Sequence, residues 1–248
     1  MINEVINRAY QEFSKYPAVL PLDVCTDCCM TKEETTKLVS ISVDSIPQEL
    51  LSNYNDSAKP EKTRIEEVKH FLPRYLQLIS EFNFPTHSSE LSFSRLVPFD
   101  KNEWTKNEYE ILLNFQSEYF RHCLNTYPIP SFGDKIDSII VMFWRSGIGI
   151  EKLLSIWEET ENIESSLHFK DLYFEGFEQY NRNKLSNSFG DKELCEKLTI
   201  WIRDNKVNTL FQNRIEKIIL NNTELEEQTI YEFNLLYEII RNENKNGT

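Results

Sequence analysis

The sequence predicts an all-α protein, and three observations support this fold class. Apolar residues recur at helical spacing in most segments, and no segment alternates apolar and polar residues as a half-buried strand does. Only 6 glycines interrupt the 248 residues. Apolar residues make up 40% of the chain and charged residues 27%, which is typical of a folded globular protein. We therefore expect a multi-helix fold with a sizeable core.

Helices in the first half of the chain have recognisable ends. Residues 2–16 form an apolar helical stripe that Pro17 terminates. Thr31 is followed three residues later by Glu34, which predicts a capping box at a helix start. Pro47 suits the beginning of the next helix. Longer helices are expected over residues 61–81 and 102–125.

The second half is predicted to consist of shorter helices in series. Their expected spans are residues 134–146, 150–160, 163–181, 191–204, 207–220 and 223–242. A Pro-rich segment, Tyr127-Pro128-Ile129-Pro130, precedes them and predicts a boundary. It separates an N-terminal helical region with clustered cysteines, residues 1–127, from a C-terminal helical region, residues 128–248. We expect the two regions to pack together as one unit.

A short internal repeat is present in the second half. The residues Ser-Phe-Gly-Asp-Lys occur at 131–135 and again at 188–192, and Trp144 and Trp201 follow at equal offsets. Stacked helical repeats, as in an α-solenoid, would produce such a pattern. The alternative is chance, because Ser, Gly and Asp are common where helices begin.

The charge balance is strongly acidic, with 27 basic and 40 acidic residues and a formal net charge of −13. Like charge repels phosphate backbones, which disfavours a general nucleic-acid binder. The same field attracts a basic protein and accelerates its encounter. Acidity that serves solubility alone is the alternative interpretation.

The sequence also predicts a location. No run approaches the roughly 20 apolar residues of a membrane helix, and the N-terminal residues lack the apolar core of a signal peptide. Five cysteines in an irregular pattern do not resemble a secreted disulfide framework. We expect a cytoplasmic protein with reduced thiols.

Three of the cysteines are crowded into the segment Cys25-Thr26-Asp27-Cys28-Cys29-Met30. Spacing of the Cys-x-x-Cys type lets two thiolates reach one zinc ion, and Cys29 is a possible third ligand. His70 is the candidate for the fourth position, with His87 as its alternative. The sequence thus offers a candidate metal site at Cys25, Cys28, Cys29 and His70.

Two other interpretations of the cysteines remain open. Cysteine packs in cores like a small apolar residue, which would account for clustered and single cysteines alike. Redox chemistry would require a lowered thiol pKa, whereas Asp23 and Asp27 should raise it.

A second motif is His70-Phe71-Leu72-Pro73-Arg74-Tyr75-Leu76, followed by His87-Ser88-Ser89-Glu90-Leu91. Together with Cys-Thr-x-Cys-Cys-Met, this motif set resembles an uncharacterised family of bacterial hypothetical proteins. The resemblance covers about the first 100 residues and implies no activity. In character the chain is weakly similar to immunity proteins of polymorphic toxins. His70, Arg74, His87 and Glu90 could line a site, or His70 and Arg74 could form a hydrogen-bonded edge of one helix.

Established catalytic signatures are absent from the sequence. It contains no Gly-x-Ser-x-Gly elbow, no His-Glu-x-x-His and no Walker loop. Gly147-Ile148-Gly149 is too short for a dinucleotide fingerprint and follows a helix rather than a strand. We therefore expect a protein that is not an enzyme.

The leading hypothesis is a cytoplasmic inhibitor that binds a basic protein. Its most concrete form is an immunity protein that masks a cognate bacterial toxin, a nuclease being the simplest choice because nucleases are basic where they hold nucleic acid. Six acidic residues on the later helices are the candidate contacts: Glu158, Glu159, Glu161, Glu224, Glu226 and Glu227. The alternatives are a metal-binding protein or metalloenzyme that uses the cysteine cluster, and a helical-repeat scaffold.

Overall fold

The computed structural model describes residues 1–59, 64–96, 101–131, 133–178, 181–221 and 225–246. These residues contain eleven α-helices, which confirms the all-α prediction. The helices are α1 (Ile2–Phe13), α2 (Lys32–Ser40), α3 (Gln48–Asp56), α4 (Ile65–Ser80), α5 (Lys106–Leu124), α6 (Ile136–Arg145), α7 (Glu151–Glu159), α8 (Ile163–Glu175), α9 (Lys192–Ile202), α10 (Asn205–Asn221) and α11 (Glu227–Asn246). None of the helices in this part of the chain is long and apolar enough to span a bilayer.

The chain divides into two compact units. The first comprises residues 1–119 and 142–150, and the second comprises residues 120–141 and 151–248. The division passes within α5 and within α6, whereas the Pro-rich segment 127–130 lies inside the second unit. Both units carry more acidic than basic residues.

The predicted capping box at the start of α2 is confirmed. The Glu34 amide donates to Thr31 Oγ1 at 3.1 Å, and the Thr31 amide donates to Glu34 Oε2 at 2.8 Å. Two free amides at the helix start are thereby satisfied. Pro47 lies directly before α3, at its N-cap rather than in its first turn.

The core of the first unit forms where α1 packs on α4. Both helices present an apolar stripe, and Phe13 and Phe71 are fully buried. The Tyr54 and Phe71 rings lie 4.8 Å apart, and further along the unit Phe115 stacks on Tyr119 at 5.5 Å. These aromatic contacts hold the scaffold to which the cysteine segment is attached.

The core of the second unit is centred on Trp157 of α7. Its ring contacts Phe120, Phe169, Trp201 and Phe211, which come from α5, α8, α9 and α10. The indole nitrogen donates to the Ser165 carbonyl at 3.0 Å, so the buried polar atom is satisfied. One side chain therefore joins five helices.

The prediction that residues 163–181 form one helix is wrong. Helix α8 ends at Glu175, and two short antiparallel strands follow, β1 (Phe177–Glu178) and β2 (Asn181–Leu185). Phe177 pairs with Leu185 in this ribbon. The ribbon is also a correction to the expectation that the chain contains no strand, although it leaves the fold class unchanged.

The two copies of the internal repeat have different local structures. Asp191 caps α9 by accepting from the Leu194 amide at 2.8 Å. In the first copy Asp134 instead accepts a hydrogen bond from the Ser131 hydroxyl, and α6 begins only at Ile136. The repeat therefore does not specify the same helix start twice.

Candidate functional site

The cysteine segment lies between α1 and α2 and is anchored at both ends. Leu22 and Met30 are buried on either side of it. The Met30 amide donates to the Cys25 carbonyl at 3.1 Å, which closes a turn around the three cysteines. The Cys25 amide donates to the Ala58 carbonyl at 3.1 Å. The turn is therefore fixed to the first unit by core side chains and backbone hydrogen bonds.

Asp23 attaches the beginning of this segment to buried charges. Its amide donates to the Glu67 carboxylate at 3.0 Å, and its carboxylate accepts from Arg64 Nε at 3.2 Å. Its carbonyl accepts from Arg95 Nη1 at 3.1 Å, and Arg95 is itself buried. Charge-assisted hydrogen bonds of this kind are stronger than neutral ones, so they hold the backbone before Cys25 in place.

The three thiols of the segment converge. The Cys25 and Cys28 sulfurs lie 3.3 Å apart, as do the Cys28 and Cys29 sulfurs, and all three lie within 4.8 Å of one another. Cys28 and Cys29 are exposed and Cys25 is half-buried. The interpretation that these cysteines are packed in the core is therefore wrong for the cluster, although Cys123 and Cys195 are buried as it predicts.

Hydrogen bonding within the cluster makes the three thiols unequal. The hydrogen bond between the Cys25 and Cys28 sulfurs lowers the pKa of Cys25, and backbone hydrogen bonds from Asp27 and Cys28 lower it further. The same interaction, together with Cys29, raises the pKa of Cys28 to about 12. The expected rise in thiol pKa from neighbouring carboxylates is thus wrong for Cys25, because hydrogen bonds outweigh the charge of Asp27.

The structure does not bring His70 to the thiols. Among the described residues, the converging ligand atoms belong to the three cysteines alone. The His70 ring is half-buried on α4, and its Nδ1 donates to the Tyr16 carbonyl at 2.6 Å. His87, the alternative, lies beside Asp56, with its Nδ1 3.1 Å from the carboxylate.

The remaining polar residues of the His-Phe-Leu-Pro-Arg-Tyr-Leu motif set make separate contacts. Arg74 Nε donates to the Ile46 carbonyl at 2.8 Å. Glu90 is buried, and its carboxylate accepts from the Ser88 hydroxyl at 2.5 Å. His70 and Arg74 thus each bond a backbone carbonyl outside α4, which favours the interpretation of a hydrogen-bonded helix edge.

The acidic residues at the end of α7 are engaged by neighbouring groups of the second unit. Glu158 accepts from the Trp201 indole at 2.9 Å. Glu159 lies 3.3 Å from Arg121, and Glu161 lies 2.7 Å from Lys217 in an exposed pair. Exposed ion pairs are weak, so these carboxylates remain accessible to solvent and to competing cations.

The other predicted acidic residues lie around the start of α11. Glu226 and Glu227 are exposed. The Glu226 carbonyl accepts from the Ile230 amide at 3.1 Å, which places Glu226 at the first turn of the helix. Glu224 lies outside the described residues.

Helix α11 also exposes apolar side chains that were not among the contact residues predicted from the sequence. Its buried residues are Phe233, Leu236 and Ile240, and they lie on one side of the helix. On the opposite side Tyr231 is 63% exposed and Leu235 is 42% exposed.

Helical spacing places Tyr231 and Leu235 between two acidic residues, Glu227 and Glu238. We call these four residues the α11 outer face. The signal that could have found it is a second apolar spacing of four residues, offset from the buried stripe. It is easily overlooked because isolated exposed apolar residues are common.

Two candidate sites therefore result from the geometry: the thiol cluster of the first unit and the α11 outer face of the second. Of the sequence-predicted residues, Cys25, Cys28 and Cys29 are brought together and His70 is not. No protein-family model, no curated protein and no solved structure matches this chain.

Proposed function

We propose that this protein binds and neutralises a basic partner protein through the α11 outer face. The partner is a bacterial toxin whose own active surface is cationic, most simply a nuclease. The observation that carries the proposal is the pairing of exposed apolar and acidic side chains on one side of α11, in a chain of net charge −13.

Tyr231 and Leu235 supply the apolar part of this face. Tyrosine is enriched among the residues that contribute most to binding, because its ring buries a large area at small entropic cost. At 63% and 42% exposure both side chains have area left to bury. A partner that covers them would remove apolar surface from water.

Glu227 and Glu238 supply the charged rim. Glu227 is exposed at the helix start, and Glu238 lies one turn beyond Leu235, where its carboxylate is 3.2 Å from Arg241. Both carboxylates are solvated in the free protein, so a cationic partner can replace water or Arg241 without uncovering a buried charge. Such rim charges accelerate association and exclude acidic competitors.

The acidic residues at the end of α7 extend the attraction without forming part of the face. The carboxylates of Glu159 and Glu161 already pair with Arg121 and Lys217, which reduces the charge that they present. We assign them to long-range steering of the partner, which depends on summed charge rather than contact. A cytoplasmic location is part of the proposal, because exposed thiols such as Cys28 stay reduced only in a reducing compartment.

The direct test is inhibition of a toxin. The probe is a purified basic nuclease, chosen from any that the genes flanking that of this chain encode, and the readout is its nuclease activity titrated with this protein. We expect stoichiometric inhibition by the wild type. Tyr231→Ala should weaken inhibition by at least about tenfold, since truncation of a central aromatic contact costs about 2 kcal/mol or more.

Ile200→Ala is the matched control. Ile200 is also an exposed apolar residue of the second unit, 73% exposed on α9, and lies outside the α11 outer face. The Ile200→Ala variant should inhibit the toxin as strongly as the wild type does. Equal inhibition by Tyr231→Ala and the wild type would show that the α11 outer face is not the binding surface. Failure of the wild type to inhibit would contradict the proposed function itself.

A further inference from the structure

We propose that Cys25, Cys28 and Cys29 form a three-thiolate site for a thiophilic d¹⁰ cation, Zn²⁺ or Cu⁺. This site lies in the first unit and is independent of the α11 outer face in the second. Metal binding at this site is proposed in addition to partner binding, and the two proposals do not depend on each other.

The sulfur positions fit such an ion. A Zn–S bond is about 2.3 Å long, so tetrahedral coordination places the sulfurs about 3.8 Å apart. The Cys25–Cys28 and Cys28–Cys29 sulfur distances are both 3.3 Å, and all three sulfurs fall within 4.8 Å of one another. Side-chain rotations that move each sulfur by roughly half an ångström close the geometry around one ion.

The backbone already holds the thiols at this spacing. The hydrogen bond from the Met30 amide to the Cys25 carbonyl closes the turn, and buried Leu22 and Met30 fix its two ends. A preformed site loses less conformational entropy when it binds an ion than a flexible one. The core therefore contributes to affinity although it donates no ligand.

The choice of cation follows from the ligands. Thiolates are soft donors that select Zn²⁺ and Cu⁺ over Mg²⁺ or Ca²⁺, which prefer oxygen. Among the described residues no fourth histidine, cysteine or carboxylate joins the cluster. Three thiolates complete a trigonal Cu⁺ site, whereas Zn²⁺ would take a solvent molecule as its fourth ligand on the exposed side of Cys28 and Cys29.

Binding requires no oxidant or reductant. Each thiol that ligates the ion loses its proton to solvent, and the sulfur donates an electron pair to the cation. Metal therefore competes with protons for the three sulfurs, so affinity should increase as pH rises.

The test is metal retention by the full-length protein. The reduced chain is incubated with Zn²⁺ alone or, in a second arm, with Cu⁺ under anaerobic conditions, then desalted and analysed for metal. We expect about one ion per chain in at least one arm, and bound metal should protect the accessible thiols of Cys25, Cys28 and Cys29 from alkylation. The arm that retains metal identifies the cation.

Two variants and a control make the result specific. Cys28→Ala and Cys29→Ala should each lose stoichiometric metal, and both residues are exposed, so helix content by circular dichroism should be unchanged. Thr26→Ala alters an exposed residue of the same turn that is not a ligand and should retain metal. Retention by both cysteine variants, or no retention by the wild type in either arm, would overturn the proposal.

Discussion

Glu108 is fully buried and nevertheless ionised, because several groups stabilise its carboxylate. The Tyr16 hydroxyl donates to it at 2.6 Å, the Lys69 ammonium lies at 2.9 Å and the Thr105 amide donates at 3.0 Å. Burial opposes ionisation, but these hydrogen bonds, with one from Lys15, lower the pKa of Glu108 to about 2. Lys69 is itself only 4% exposed, so each charge depends on the other.

Replacing Glu108 should therefore destabilise the first unit strongly. In Glu108→Gln the buried Lys69 loses its counter-ion, and the cost of an uncompensated buried charge is about 3–5 kcal/mol. Denaturant unfolding measures this loss. Glu110→Gln is the matched control, because Glu110 is exposed on the same helix, and it should change stability by less than about 0.5 kcal/mol. Equal stability of the two variants would show that the pair contributes nothing.

The same carboxylate predicts a pH dependence. Its pKa is lower in the folded protein than the ordinary value of 4.5, so its contribution is complete above that value. The contribution is lost as pH falls from about 4.5 towards 2, since protonation then favours the unfolded chain. The stability difference between the wild type and Glu108→Gln should shrink across this window and stay constant above it. A difference that is independent of pH would contradict the assignment.

At the scale of the element, the start of α2 is the feature that sequence specifies most directly. Thr31 and Glu34 interact over three residues, so spacing alone predicts their contact. Thr31→Ala should cost about 1 kcal/mol in unfolding free energy. Thr36→Ala, an exposed position inside the same helix, should be neutral or slightly stabilising because alanine is the better helix former. Similar losses in both variants would mean that the cap has no special role.

Elements that depend on distant contacts were predicted less well. Residues 172–177 continue an apolar helical spacing beyond the true end of α8, which hides the change to β1. The ribbon exists because β1 pairs with β2, and pairing between strands is not encoded in the periodicity of either.

The difference between local and distant contacts also explains the outcome for the four predicted metal ligands. Cys25, Cys28 and Cys29 are neighbours in sequence, so one turn can bring them together. His70 lies on α4, and whether its ring reaches that turn depends on how the helix packs. The hydrogen bond from its ring to the Tyr16 carbonyl is a tertiary contact, and it holds the ring away from the three thiols.

At the scale of the whole molecule, net charge by itself does not define a binding surface. The acidic excess is shared by both units, so electrostatic attraction alone favours no particular face. In our proposal one face is selected by the apolar contribution of Tyr231 and Leu235, which α11 exposes beside Glu227 and Glu238. Electrostatic attraction to a basic partner can be predicted from the sequence alone. The exposure of Tyr231 and Leu235 could be recognised only in the folded structure.

The measurement that tests the proposed function most directly is the rate of association between this protein and its proposed basic toxin, followed against ionic strength. If carboxylates steer the encounter, the rate constant of the wild type should fall by at least about tenfold from low to high salt. The double variant Glu227→Gln with Glu238→Gln should show a flatter dependence and a slower rate at low salt. A rate that does not change with salt, and is the same for both proteins, would contradict electrostatic recognition by the α11 outer face.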